Sequence, residues 1–240
     1  MIMVAVALLL SMVLCLLFGV PYIDFLKKKT IGQYILDVAP EAHAQKAGTP
    51  TTGGVFIILA IIISSVITLL MAEKMDTKAL IILITLFFMA LAGFQDDYLK
   101  LKGKENRGLS PRGKLFRQIL IALIPVLYAM QTYGTVLTLG SKSFDIGLLY
   151  PVLGVFVVTG ASNAYNLTDG LDGLATSVTV MVAIFFGVVA IGVGSGVWPI
   201  TAAVIGALLG FLLFNVHPAS VFMGDTGSLA LGGFVASIAY

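Results

Sequence analysis

Eight apolar runs, each about as long as an α-helix needs to cross a bilayer, alternate with short polar segments along the chain. They fall at roughly residues 2–20, 53–72, 78–94, 115–131, 148–164, 174–192, 198–214 and 227–240. The pattern predicts an all-α polytopic membrane protein: eight transmembrane helices in one integral membrane domain spanning 1–240, with no soluble domain and no internal repeat. The first run lacks a basic leader and a small-x-small cleavage site, so it reads as a retained helix and not a signal peptide. Between the fourth and fifth runs, residues 133–147 alternate in the β manner around Gly140-Ser141, which predicts a small external hairpin.

Composition agrees with this reading. Hydrophobic residues make up 59% of the 240, charged residues only 11%, and mean hydropathy is +1.05. A soluble domain of this size needs far more polar surface. The single cysteine, Cys15, lies within the first run and rules out an intrachain disulfide. The net charge of +2 matters less than its distribution. Lys27, Lys28, Lys29, Lys46, Lys100, Lys102, Lys104, Arg107, Arg112, Lys114 and Arg117 all fall in the same alternate set of loops. Only Lys74, Lys78 and Lys142 fall in the other set, so eleven of fourteen basic residues share one side. Positive residues mark the cytoplasmic side, which puts the N-terminus outside. This basic surface is explained by topology, and no nucleic-acid partner is expected.

Three acidic clusters interrupt the apolar pattern: Asp96-Asp97, Asp169 with Asp172, and Asp225 within Met223-Gly-Asp-Thr-Gly227. All three fall in loops on the cytoplasmic side. Carboxylates near hydrocarbon are costly and mark functional sites by default. Asp96 and Asp97 close an apolar run, where a helix C-terminus disfavours negative charge unless a cation such as Lys100 or a metal compensates. Asp169, Asp172 and Asp225 precede or open runs, where acids also serve as ordinary N-caps. The neighbouring Asn163, Asn166, Gly170 and Gly173 exceed what capping requires. Gly224, Thr226, Gly227 and Ser228 around Asp225 suit an anion. Phe222 packs or stacks on a base. His43 and His217 are isolated loop residues without metal-ligand spacing. Carboxylates, glycine-lined helix starts and basic residues on one face suit Mg²⁺-assisted chemistry on a diphosphate, with one substrate entering from the lipid.

Four segments carry a family resemblance: Lys46-Ala-Gly-Thr-Pro-Thr-Thr-Gly-Gly54 with His43, Asp96-Asp97-Tyr-Leu-Lys100, Asn163-Ala-Tyr-Asn-Leu-Thr-Asp-Gly-Leu-Asp-Gly-Leu-Ala175, and Phe222-Met-Gly-Asp-Thr-Gly-Ser-Leu-Ala-Leu-Gly-Gly233. In this order they resemble the phospho-N-acetylmuramoyl-pentapeptide transferases of the polyprenyl-phosphate N-acetylhexosamine-1-phosphate transferase superfamily. The resemblance implies Mg²⁺-dependent transfer of phospho-MurNAc-pentapeptide from UDP-MurNAc-pentapeptide to undecaprenyl phosphate, giving lipid I and UMP for peptidoglycan synthesis. It implies a bacterial inner-membrane enzyme with a cytoplasmic active site, and suggests a homodimer. By analogy Asp225 ligates Mg²⁺, and Asp96 and Asp97 are catalytic. Lys46, Thr51, Asn166, Asp169, Asp172 and Phe222 bind the nucleotide sugar, with Phe222 against the uracil, and Lys100 and Lys104 bind phosphates.

Two departures qualify the match. Thr52 stands where the family usually has Met. The family has ten spans and a histidine-rich cytoplasmic loop before the last two, so the chain ending at Tyr240 is expected to be truncated at its C-terminus. Three other readings compete: a relative that transfers GlcNAc-1-phosphate from UDP-GlcNAc, a cation transporter lined by Asp96, Asp97 and Asp225, and an inactive fragment. Transporter carboxylates belong near mid-membrane, whereas these gather at one interface.

Overall fold

The computed structural model describes residues 2–28, 49–103 and 108–240. Each of the eight apolar runs is a helix: α1 (Ile2–Lys28), α2 (Gly54–Met71), α3 (Thr77–Gly103), α4 (Pro111–Tyr133), α5 (Leu149–Thr168), α6 (Leu174–Gly192), α7 (Trp198–Asn215) and α8 (Gly224–Ile238). Six of them, all but α5 and α8, are long and apolar enough to cross a membrane. The last two turns of α5 carry Ser162, Asn163 and Asn166, which dilute its hydropathy. The α8 helix is only 15 residues long. The residues outside the bundle follow the lipid-facing pattern. Phe156, Met181, Phe185, Val188 and Leu213 are all more than 60% exposed, which a water-soluble surface would not tolerate in such number. The chain is a multi-pass membrane protein.

Between α4 and α5 lies the expected hairpin, β1 (Val136–Leu139) paired antiparallel with β2 (Lys142–Asp145) in the register Val136↔Asp145 to Leu139↔Lys142. The Thr138 and Ser143 hydroxyls bond across it at 3.0 Å. At its base the Thr135 hydroxyl and the Gly147 N–H donate to Asp145, which holds that carboxyl below its ordinary range.

Consecutive helices alternate in direction. The C-terminal ends of α3, α5 and α7 therefore meet the N-terminal ends of α2, α4, α6 and α8 at one end of the bundle. Backbone bonds join Gly53 and Gly54 to the carbonyls of Phe222 and Met223, both at 2.8 Å. The opposite end brings Ile2, Lys74, Ile191 and Trp198 around a shared cavity. There Lys78 of α3 lies over the Tyr133 ring of α4.

The α8 helix is the axis of this arrangement. Every residue from Asp225 to Phe234 is buried, as are Ala236, Ser237 and Ile238. It packs against α2, α3 and α5, and more lightly against α4 and α6. Helices in lipid gain little from burying apolar surface against each other, so close approach through small residues takes over. A Cβ on Gly93 of α3 would come within 2.1 Å of the Asp225 carbonyl oxygen, and one on Gly54 of α2 within 2.1 Å of the Gly227 nitrogen. The Ser162 hydroxyl of α5 donates to the Leu229 carbonyl on the third side.

Two helix boundaries differ from the hydropathy reading. The α3 helix runs on to Gly103, so Asp96 and Asp97 lie inside it and not at its C-terminus. Hydropathy marks where hydrocarbon ends, and the following Gln-Asp-Asp-Tyr-Leu-Lys segment simply continues the helix with a Lys100–Asp96 pair at i,i+4 spacing. The acids before α6 do not cap it. Its N-cap is Gly173, in a left-handed conformation without a side-chain cap, while Asp169 is the C-cap of α5.

Candidate active site

Asp96, Asp97 and Asp225 offer carboxylate oxygens that all lie within 4.8 Å of one another, and all three residues are buried. Two of them come from one turn of α3 and the third from the first turn of α8. Their donors distinguish them. Asp96 accepts the Leu109 N–H at 2.7 Å on one oxygen and pairs with Lys100 at 2.6 Å on the other. Asp97 accepts the Asp225 N–H at 3.1 Å, the Thr226 N–H at 2.9 Å and the Thr226 hydroxyl at 2.6 Å. Asp225 accepts the Asn166 amide at 2.7 Å on Oδ1, and its Oδ2 meets Lys100 at 3.0 Å and Lys114 at 2.8 Å.

Among the described residues, two ammonium groups face three carboxylates, and burial makes each uncompensated charge expensive. At Asp225 the Asn166 amide and the ammonium groups of Lys100 and Lys114 offset the cost of burial. An all-oxygen set of this kind suits a hard divalent cation. Asp225 and Asp96 are the better placed to hold one, since one oxygen of each faces only lysine ammonium groups among the described residues. Asp97 is engaged with backbone and hydroxyl donors.

Around the carboxylates, Asn166 links α5 to α8 by donating to both Asp225 and Ser228, each at 2.7 Å. Gly224 precedes Asp225 with φ +69°, a backbone shape that a side chain would strain, and a Cβ there would also meet Thr51 Oγ1 at 2.8 Å and Asp97 Oδ2 at 2.7 Å. Thr51 therefore borders the cluster. Behind it, buried Asn215 ties three segments together. It accepts from the Gly173 N–H and the Thr176 hydroxyl, and donates to the Val221 carbonyl.

The remaining sequence-predicted residues fall outside this centre. Asp172 accepts the Ala219 N–H at 3.2 Å and pairs with His217 at 3.0 Å, so it fastens the loop between α7 and α8. Phe222 is 6% exposed, and its backbone forms a ladder with Pro50 and Gly53. Lys46, Lys104 and His43 lie outside the described residues.

Sequence reasoning passed over Lys114 and Asn215 as site-building residues. For Lys114 a signal existed. Ser110 caps α4, with Pro111 following at the first helical position, so Lys114 sits in the first turns of a helix, at the positive end of its dipole. A cation there is as misplaced as a carboxylate at a C-terminus, and its partner is Asp225.

Comparison with known proteins shows the family. The sequence model of glycosyl transferase family 4 matches residues 79–240, which include all three central carboxylates and both lysines. The phospho-N-acetylmuramoyl-pentapeptide-transferase of Oceanobacillus iheyensis is 47% identical over 229 residues, covering 90% of this chain and 68% of that protein. The Bacillus licheniformis protein of the same name is 45% identical over 225 residues, covering 91% and 68%. That of Shouchella clausii is 43% identical over 239 residues, covering 97% and 73%. A bundle with a buried carboxylate and lysine centre, likenesses at this level and a matching family model together identify the chain as a multi-pass phospho-sugar transferase that belongs to glycosyl transferase family 4 and, within it, to the phospho-N-acetylmuramoyl-pentapeptide-transferases.

Proposed function

We propose that this chain, as a single integral membrane transferase domain, moves phospho-MurNAc-pentapeptide from UDP-MurNAc-pentapeptide to undecaprenyl phosphate, producing lipid I and UMP with Mg²⁺ as cofactor. The observation that carries the reading is the meeting of Asp96, Asp225, Lys100 and Lys114 at one end of the bundle. In the proposed orientation that end faces the cytoplasm of the bacterial inner membrane and the N-terminus lies outside.

The reaction breaks the bond between the two phosphates of the nucleotide sugar and forms one from an oxygen of the lipid phosphate to the sugar phosphate. A phosphate monoester is largely ionised near neutral pH, since its second pKa is about 6, so the site must gather and align anions more than remove a proton. Bound at Asp225 and Asp96, Mg²⁺ would neutralise charge on the diphosphate and on the departing UMP. Lys100 and Lys114 are placed to exchange their carboxylate partners for phosphate oxygens as substrate enters. Asp96 orients Lys100, and Asn166 orients Asp225 from the opposite side. Thr51, Asp169, Asp172 and Phe222, together with Lys46 and Lys104, are proposed to complete the nucleotide-sugar and phosphate contacts.

The test is release of UMP by the purified chain given UDP-MurNAc-pentapeptide, undecaprenyl phosphate and Mg²⁺, repeated with chelator and with UDP-GlcNAc as donor. Turnover confined to the first mixture is expected. No UMP, or a preference for UDP-GlcNAc, would overturn the reading.

A further inference from the structure

We infer that Asp97 is a positioning residue that aims Asp225 through the backbone of α8, and does not itself touch the reacting groups. The inference deepens the proposed function, since it concerns how the same cation-binding carboxylate is held.

The first N–H groups of any α-helix lack intrahelical partners and need acceptors. The N-cap of α8, Met223, supplies no side-chain acceptor. Asp97 takes that role from another helix, receiving the N–H groups of Asp225 and Thr226 and the Thr226 hydroxyl. The Asp97 side chain is 2% exposed, so no water replaces these bonds, and its negative charge suits the positive end of the α8 dipole. One turn earlier on α3, Gly93 lets the two backbones touch at Asp225 itself. Asp225 is thus fixed at both ends: its N–H by Asp97 and its carboxylate Oδ1 by Asn166.

Both oxygens of Asp97 are engaged by first-turn donors of α8, Oδ1 by one and Oδ2 by two. The adjacent Asp96 contrasts with it, because one of its oxygens is held by a Lys100 ammonium that a phosphate can draw away or a cation displace. Two neighbouring carboxylates about 100° apart on one helix therefore have separate duties. Partners that orient a metal ligand typically affect metal affinity or activity by roughly 10- to 100-fold when removed.

The test uses the full chain in detergent with Asp97→Asn and Thr226→Val. Three quantities are read: backbone amide exchange of residues 224–228, half-saturation by Mn²⁺ followed by electron paramagnetic resonance, and UMP release as a function of Mg²⁺. In Asp97→Asn an amide donor replaces one acceptor and faces other donors. Exchange of the first turn of α8 should rise, Mn²⁺ affinity should fall roughly 10- to 100-fold, and raised Mg²⁺ should restore much of the lost turnover. Thr226→Val removes one of the three donors and should move the same readouts in the same direction by less. It also carries the test if Asp97→Asn fails to fold. Turnover lost with unchanged exchange and unchanged Mn²⁺ affinity would overturn the inference, because Asp97 would then act on the reacting groups. Wild-type values throughout would overturn it as well. If the unmodified chain binds no Mn²⁺, the proposed metal centre fails, and the exchange measurement alone decides whether Asp97 orders α8.

Discussion

At the level of single residues, the three central carboxylates differ by who donates to them, and the differences give separable mutational effects. Asp225→Asn removes the charge that two lysines and a cation would share. UMP release should fall by roughly 10²- to 10³-fold, comparable to losing one well-placed electrostatic contact, and Mn²⁺ binding should fall with it. Lys114→Ala should split these readouts. Without the ammonium at 2.8 Å, the Asp225 carboxylate is less compensated, so the cation should bind more tightly. The diphosphate loses a charged donor, which is worth about 10- to 100-fold in kcat/KM for UDP-MurNAc-pentapeptide. Equal losses in both measurements would show that Lys114 is merely structural. That Asp96, Asp97 and Asp225 stand out from the apolar pattern was legible from sequence, because charge at an apolar boundary is costly wherever it falls. Their individual partners were not. Asp97 meets Thr226 across 129 positions of sequence, and no local pattern encodes which helix will need a cap.

For whole helices, the decisive feature is how closely α3 and α2 approach α8. Gly93→Val places a side chain against the Asp225 carbonyl. Overpacking of this kind costs about 1–3 kcal/mol, and a lower thermal midpoint in detergent should appear together with lost turnover. Gly160→Ala on α5 is the control. Nothing lies within 4 Å of its Cβ position, and a helical Gly-to-Ala change gains up to about 1 kcal/mol, so the midpoint should hold or rise. Asn215→Leu leaves the Gly173 N–H and the Val221 carbonyl buried without their partner, at about 1–3 kcal/mol each. It should unfasten the starts of α6 and α8 at an earlier temperature. Every helix among the described residues was readable from the apolar runs, and the hairpin from the alternation around Gly140-Ser141. Helix ends were not, because hydropathy reports contact with lipid while α3 continues beyond it. The supposed caps of α6 failed for a related reason: Asp169 and Asp172 satisfy α5 and the α7–α8 loop, which are neighbours in space.

Over the whole molecule, the distribution of basic residues predicts which end faces which compartment, and that prediction is directly measurable. In a Cys15→Ala background, Ser141→Cys in the hairpin turn should react with a membrane-impermeant maleimide on intact cells. Lys28→Cys at the end of α1 should react only after permeabilisation. The reverse pattern would invert the proposed orientation. The membrane class was evident from composition alone, whereas the central place of α8 was not, since its glycines and hydroxyls read as an ordinary, rather polar span. That central place has a consequence for biogenesis. Chain order makes α8 leave the ribosome after the seven other described helices, yet it packs against five of them. Those helices precede it into the membrane, and any nascent chain ending before Gly224 lacks Asp225. The carboxylate cluster is completed when α8 inserts, with the Asp97 carboxylate on α3 to receive its first N–H groups.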